Sequence, residues 1–350
     1  MSRIYVCGLG AVSPAGWGLP ALRAALDKSL PLSAQPLERP GSQPPFRALL
    51  VPPPPVRPAF LAHPRLRRTS PITHYAAAAA LEAVAALRSG SGREARLGVV
   101  ACMQVGCVNF SCRFYDEALK DPATASPLLF PETVYAAPAS HVAALLDNTP
   151  LVYSLVGDPA CFLQGIALGI QWLEQGRVDA CLVFGAEETH WIIADALWRL
   201  ERPAVFSAGA GALCLTRDAS KSLGIELAAI TSPVTFSTRT TRAQAARAMR
   251  AELEQAQISP ADLLCDGLAG VARADAAESA AWRDWTGARL SPKRILGEGL
   301  TAAAAWQCVA ACDAVAAGRF PAAAISLVGS NQQAIGARVV QTSGFQLVPI

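Results

Sequence analysis

Residues 151–187 read LVYSLVGDPACFLQGIALGIQWLEQGRVDACLVFGAE, and this stretch decides the fold. Leu151–Val156 is a short, nearly continuous apolar run and reads as a strand of the buried kind. Asp158 is a good helix N-cap and Pro159 a good first helical residue. The helix so opened carries Ile166, Ile170 and Leu173 at helical spacing and stops at Gly176, where a left-handed residue ends many helices. Val178–Gly185 is the next strand and Gly209–Thr216 another. A strand, a helix and a strand in that order place the two strands parallel in one sheet.

The same grammar extends outward. Ile4–Val12 is a strand running into a turn. Its Gly8-x-Gly10 lacks the third glycine of a dinucleotide fingerprint, since Ser13 stands there, so nucleotide binding is not expected. Residues 31–58 are proline-rich and read as an extended surface excursion. A helix is expected over Ser70–Leu87, with Tyr75, Ala78, Ala79, Leu81 and Ala85 as its apolar, small-residue face. Leu97–Cys102 reads as a strand, followed by a loop-rich region and a helix containing Pro138–Leu146. A second round begins near Ile225, with helices over Arg242–Gln257 and Asp275–Trp285 and a strand end at Leu263–Gly267. An alanine-rich helix over Leu300–Ala317 follows, and the last strands are Ala322–Gly329 and Arg338–Gln341. The two rounds share one element order, which predicts an internal duplication, with halves at residues 1–220 and 221–350.

Composition excludes several classes. The chain has 350 residues, 52% of them hydrophobic and 16% charged, too apolar for disorder. The charged fraction is below the roughly 25% usual for a globular domain, which predicts a large core or a face covered by another subunit. A net charge of +3 argues against a nucleic-acid binder, and the cluster Arg65, Arg67, Arg68 reads as a solvated turn. The ten cysteines contain no CxxC pair and no zinc spacing. They read as buried free thiols of a cytoplasmic protein. The first strand reaches Gly8 too soon for a signal peptide, and no apolar run is long enough to span a membrane. No metal and no cofactor are expected.

Four segments in order resemble the β-ketoacyl synthase branch of the thiolase-like family. They are Val6–Gly16; Phe130–Thr133 with Ser140–Val142; Gln175–Asp179 with Phe184–Glu187; and Gly209–Leu213. The resemblance implies an α/β fold of duplicated thiolase-like type, with two central mixed sheets in a layered αβαβα arrangement, usually in a dimer. It also implies chemistry on an acyl chain and a malonyl unit held by an acyl carrier protein. A cysteine at a helix N-terminus would take the acyl chain. Two histidines of the second half would assist decarboxylation and stabilise the oxyanion, with a lysine organising the site.

The chain departs from that pattern at each catalytic position. Counting 17 residues back from Gly176 lands on Pro159, which has no nucleophile. Cys161 stands two residues later and serves as nucleophile only with a two-residue deletion, which turns a helix face by about 200°. Eight residues before Asp275 of the pair Asp275/Glu278, the first histidine position is Gly267. Five residues after Lys293, the second is Glu298, read as a capping or ion-pair residue or as an acid–base group. The gating turn is altered to Ser326-Leu327-Val328-Gly329-Ser330-Asn331, which restricts the backbone. His63, His74, His141 and His190 occupy no catalytic position of the family.

Three functions stay open on this reading. The first is a non-condensing subunit of chain-length-factor type, as in polyketide or aryl polyene pathways. It would pair with an active ketosynthase and shape the tunnel for the growing chain. The second is a divergent condensing enzyme or acyltransferase using Cys161, with Lys293 and Glu298 at the site. The third is a homodimeric scaffold for an acyl carrier protein.

Overall fold

A computed structural model of the protein describes residues 3–41, 45–88, 95–200 and 204–342. Part of the proline-rich segment, residues 42–44, lies outside the described residues. Ten strands carry the architecture: β1 (Tyr5–Ser13), β2 (Leu97–Met103), β3 (Leu151–Val156), β4 (Ala180–Glu187), β5 (Gly209–Thr216), β6 (Ile225–Ile230), β7 (Leu263–Cys265), β8 (Arg289–Leu290), β9 (Ala322–Val328) and β10 (Gln333–Gln341). The first five pair in the order β3-β2-β4-β5-β1 and the last five in the order β8-β7-β9-β10-β6. Each set therefore has the same internal order, third-second-fourth-fifth-first. The directions match too. The second strand of each set is parallel to the third and fourth, and the fifth is antiparallel to the fourth and first. The duplication expected from the element order is thus present in the pairing. The two sheets meet edge to edge through β1 and β6, at Tyr5↔Glu226 and Val6↔Ile225.

Helices fill the layers: α1 (Pro71–Arg88), α2 (Val108–Lys120), α3 (Ala137–Leu145), α4 (Cys161–Glu174), α5 (Trp191–Leu200), α6 (Arg239–Gln255), α7 (Ala272–Ala281) and α8 (Thr301–Ala316). Every residue of α8 but the last is buried, as a helix packed between two sheets requires. It touches β5 and β4 on one side and β9 on the other. Its alanines let both sheets approach closely, and Trp306 fills the gap, donating its indole N–H to the carbonyls of Val12 and Ala210 at 3.0 and 2.9 Å. Helix α4 shares this central layer, whereas α1 covers the outside of the first sheet and α6 the outside of the second.

Four expectations are corrected. The buried face of α1 is Ile72, Ala76, Ala80, Ala83 and Val84 with Ala79, while Ala85 is exposed and Tyr75, Ala78 and Leu81 are half-buried. Alanine on every side makes the helix nearly uniform, so its partner selects the face. A Cβ at Gly8 or Gly10 of β1 would fall 1.7 Å from the Ala83 carbonyl oxygen or 2.0 Å from that of Ala79. Those glycines are therefore a helix seat. Strand β3 is not buried: Tyr153 and Val156 are 54% and 53% exposed, because β3 is the last strand of its sheet. The region after β2, expected as loop, contains α2. The proline-rich segment holds two short strands, Gln35–Leu37 and Phe46–Leu49, the latter pairing with Phe206–Ser207. Among the described residues, no helix is long and apolar enough to cross a membrane.

Candidate functional site

The Asp158 carboxylate serves more than the helix start expected of it: besides the N–H of Ala160, backbone N–H groups from a distant turn bond it and oppose the rise that burial gives its pKa. Helix α4 begins at Cys161, and Ala160 at its N-cap makes no side-chain capping bond. Those distant donors are the backbone N–H groups of Gln332 and Gln333, at 3.0 and 3.4 Å. These partners lie across the fold in the second half. The chain enters the helix through a tight turn in which the Cys161 N–H donates to the Asp158 carbonyl at 2.8 Å.

That turn sends Pro159 and Cys161 to different places. Pro159 lines a cavity of about 170 Å³ together with Gly267, Glu278, Lys293 and Glu298. Cys161 is 2% exposed, is not among the residues lining that cavity, and packs in the main core. Its carbonyl accepts the Cys102 thiol at 3.7 Å. So the three positions counted from the sequence, Pro159, Gly267 and Glu298, converge on one cavity with Lys293, and Cys161 does not join them. Proline offers this cavity neither a nucleophile nor a backbone N–H.

Lys293 and Glu298 form a buried ion pair, with Nζ 2.7 Å from Oε2 and both side chains 9% exposed. The second carboxylate oxygen of Glu298 accepts the Leu300 N–H at 2.8 Å, at the start of α8. Of the two readings of Glu298, capping and ion pairing describe its contacts. Its backbone is held as well: the Glu298 N–H donates to Val205 O at 2.9 Å and its carbonyl accepts the Ser207 N–H at 3.0 Å. Gly297 turns at φ 79° with Val205 O 2.8 Å from any Cβ, so a side chain there is excluded. Leu300, which lines the cavity, sits at φ 49° and ψ −121°, a strained backbone of the sort found at binding sites.

On the other wall the Asp275/Glu278 pair holds the loop that follows β7. Asp275 accepts the N–H groups of Ala269, Gly270 and Val271 at 2.9, 2.8 and 3.0 Å. Glu278 accepts the Gly267 N–H at 3.2 Å and the Ser326 hydroxyl proton. Burial, reinforced by the charge of Asp266, pushes its carboxyl up to about 8. A Cβ at Gly267 would lie 3.0 Å from Glu278 Oε2, so an imidazole there requires this carboxyl to move.

Two lining elements were missed from the sequence. Helix α5 presents Ile193, Ala196, Leu197 and Leu200 as the apolar wall. Their three- and four-residue spacing was the available signal. Arg242, at the start of α6, donates to the carbonyls of Gly329 and Ala274 at 2.9 and 3.0 Å and braces the altered gating turn. Outside the first cavity lies a second of about 380 Å³, which shares Gln104, Leu200, Arg242, Ala274 and Ser330 with it and is rimmed by Arg239 and Arg273. The four histidines line neither cavity; His141 bonds Glu132 at 3.0 Å, and His190 stands 3.9 Å from the Cys112 thiol. Among the described residues no cluster of three or more His, Cys, Asp or Glu is placed to hold a metal ion.

This architecture, a duplicated five-strand sheet around buried helices with a cavity where the two halves meet, is the thiolase-like fold of ketosynthases and their chain length factors. The ishigamide ketosynthase/chain length factor matches 97% of this chain and 100% of its own at 18% identity and a TM-score of 0.83. A β-ketoacyl synthase from Burkholderia phymatum matches 98% and 100% at 17% identity and 0.80. The ketosynthase ApeO in complex with its chain length factor ApeC from Xenorhabdus doucetiae matches 97% and 98% at 15% and 0.78. No protein-family model and no curated protein matches the sequence.

Proposed function

We propose that this chain is a non-condensing subunit that pairs with an active β-ketoacyl synthase and shapes the tunnel for its acyl or polyketide chain. The observation that carries the reading is the cavity itself. At its three catalytic positions stand a proline, a glycine and a glutamate locked to Lys293, so it has no thiolate and no imidazole. An ionised Glu298 would repel both a malonyl carboxylate and a developing oxyanion. The likeness to structures that pair a ketosynthase with a chain length factor supports the same assignment. The exposed edge of β3 supports pairing, because an apolar edge strand left bare is an aggregation hazard. Arg239 and Arg273 at the outer cavity suit the anionic arm of an acyl carrier protein. We place the activity in the cytoplasm and take residues 1–220 and 221–350 as the two halves.

The test is co-expression with a ketosynthase encoded beside this chain. A stable 1:1 complex whose product length changes when residues lining this chain's cavity are enlarged is the expected result. A homodimer that ignores the ketosynthase overturns it. The competing enzyme reading places the nucleophile at Cys161. It predicts a single acyl adduct on Cys161 by intact-mass spectrometry, and the core position of this residue argues for none.

A further inference from the structure

The segment Gly157–Cys161 lies where the resemblance places a nucleophile, yet its most connected side chain is Asp158. This carboxylate is 1% exposed and reaches 174 residues along the chain to the turn between β9 and β10. Its Oδ2 accepts the N–H groups of Gln332 and Gln333, and its own N–H donates to Gln332 Oε1 at 3.1 Å. Gln333 Nε2 adds a bond to Gln164 Oε1 on α4 at 3.0 Å. Arg242 also grips the carbonyls of Gly329 and Val328. Val328 and Ser330 of this turn line the inner cavity.

Two details mark the contact as more than packing. A Cβ at Gly329 would fall 1.8 Å from Asp158 Oδ2, so the carboxylate occupies the space that any other residue at 329 would need. The buried N–H of Gln333 and the N–H of Gln332 both take this carboxylate as acceptor, so an alanine at 158 leaves them without it, and that cost falls on the turn itself.

We propose that Asp158 is a positioning residue, a bolt that fastens the turn Gly329–Gln333 of the second half to the β3–α4 connection of the first and makes the cavity wall permanent. The site of a nucleophile has become a tie between the two halves. A turn whose N–H groups bond Asp158 and whose carbonyls bond Arg242 does not swing. A fixed wall is what a subunit that only shapes a tunnel requires. That last step alone rests on the proposed function; the bolt itself is measured on the full chain without any partner.

The experiment is hydrogen exchange with mass spectrometry on the wild type, Asp158→Ala and Asp158→Asn, read on the peptide covering residues 328–334. Asp158→Ala is expected to speed exchange there by about tenfold, the worth of one hydrogen bond to a charged acceptor. Exchange in α8 should stay unchanged, and Asp158→Asn, which keeps an acceptor, should retain most of the protection. A second test needs only melting temperatures. Gly329→Ala should destabilise the wild type and be tolerated in the Asp158→Ala background, where the clashing carboxylate is gone. Unchanged exchange in Asp158→Ala, or an equal loss from Gly329→Ala in both backgrounds, overturns the proposal. Should Asp158→Ala fail to fold, Gln332→Ala removes the bond to the Asp158 N–H and must speed exchange of the same peptide, or the proposal falls.

Discussion

Lys293 and Glu298 make opposite demands on the interior. Each is a charge taken out of water, and the other, 2.7 Å away, compensates it. Lys293→Met leaves a buried carboxylate with one backbone donor and is expected to destabilise the chain by about 3–5 kcal/mol, the usual cost of breaking a buried pair. Lys293→Met with Glu298→Gln should recover most of the loss, because no unpaired charge remains. Thermal melts of the two variants check both statements. At this scale the sequence was informative. The spacing to Gly176, to Asp275 and Glu278, and from Lys293 identified three positions that the fold brings into one cavity. For Cys161 it left two readings, a nucleophile after a two-residue deletion or one more buried thiol. Whether such a thiol faces cavity or core depends on the tight turn before it, and that turn is set by the distant partners of Asp158.

Strand β3 is the element whose environment the sequence misjudged. Its run of apolar residues matches a strand buried on both faces, but it ends a sheet and, among the described residues, has no neighbour beyond it. Val152, Tyr153 and Val156 are left exposed. The partner subunit proposed above would explain both the pattern and the exposure by covering this edge. Val152→Lys with Val156→Lys should therefore abolish assembly by size-exclusion chromatography while leaving the melting temperature of the separated chain within a few degrees. A loss of folding in the separated chain would count against this reading of β3. Helix α1 teaches the converse lesson. Its many alanines gave the sequence no strong face, and Gly8 and Gly10 of β1 supplied one by removing the side chains that would hold it off.

At the scale of the whole molecule, burial raises several carboxyls of the described residues, Glu187 and Glu278 among them. Burial pushes Glu187 up to about 8, with its two oxygens accepting the N–H groups of Gln104 and Val105 at 2.6 and 3.2 Å. Glu278 is pushed to the same range. In the unfolded chain both titrate near 4.5. Between those values the folded state holds protons that the unfolded state has released, so stability falls as pH rises. Their contribution is fully present below pH 4.5 and is lost through about 8. Each tenfold difference in proton affinity between the folded and unfolded chain is worth about 1.4 kcal/mol. The melting temperature should therefore fall between pH 6 and pH 9. Glu278→Gln should lessen the fall, since the amide keeps an acceptor for the Gly267 N–H and cannot ionise. A variant with the same slope as wild type would exclude Glu278 as a source.

The amino-acid sequence by itself determined the order of strands and helices, the repetition of that order and the loss of imidazole at two counted positions. These are local or periodic properties, written in spacing and in residue chemistry. The tertiary structure decided the exposure of β3, the buried face of α1, the place of Cys161 outside the cavity and the distant partners of Asp158. Each of those depends on which groups from another part of the chain arrive alongside. Asp158 looked like a helix cap because a carboxylate beside a helix start usually is one. It became a tie between two halves because two backbone N–H groups, 174 and 175 residues away, arrive within its reach.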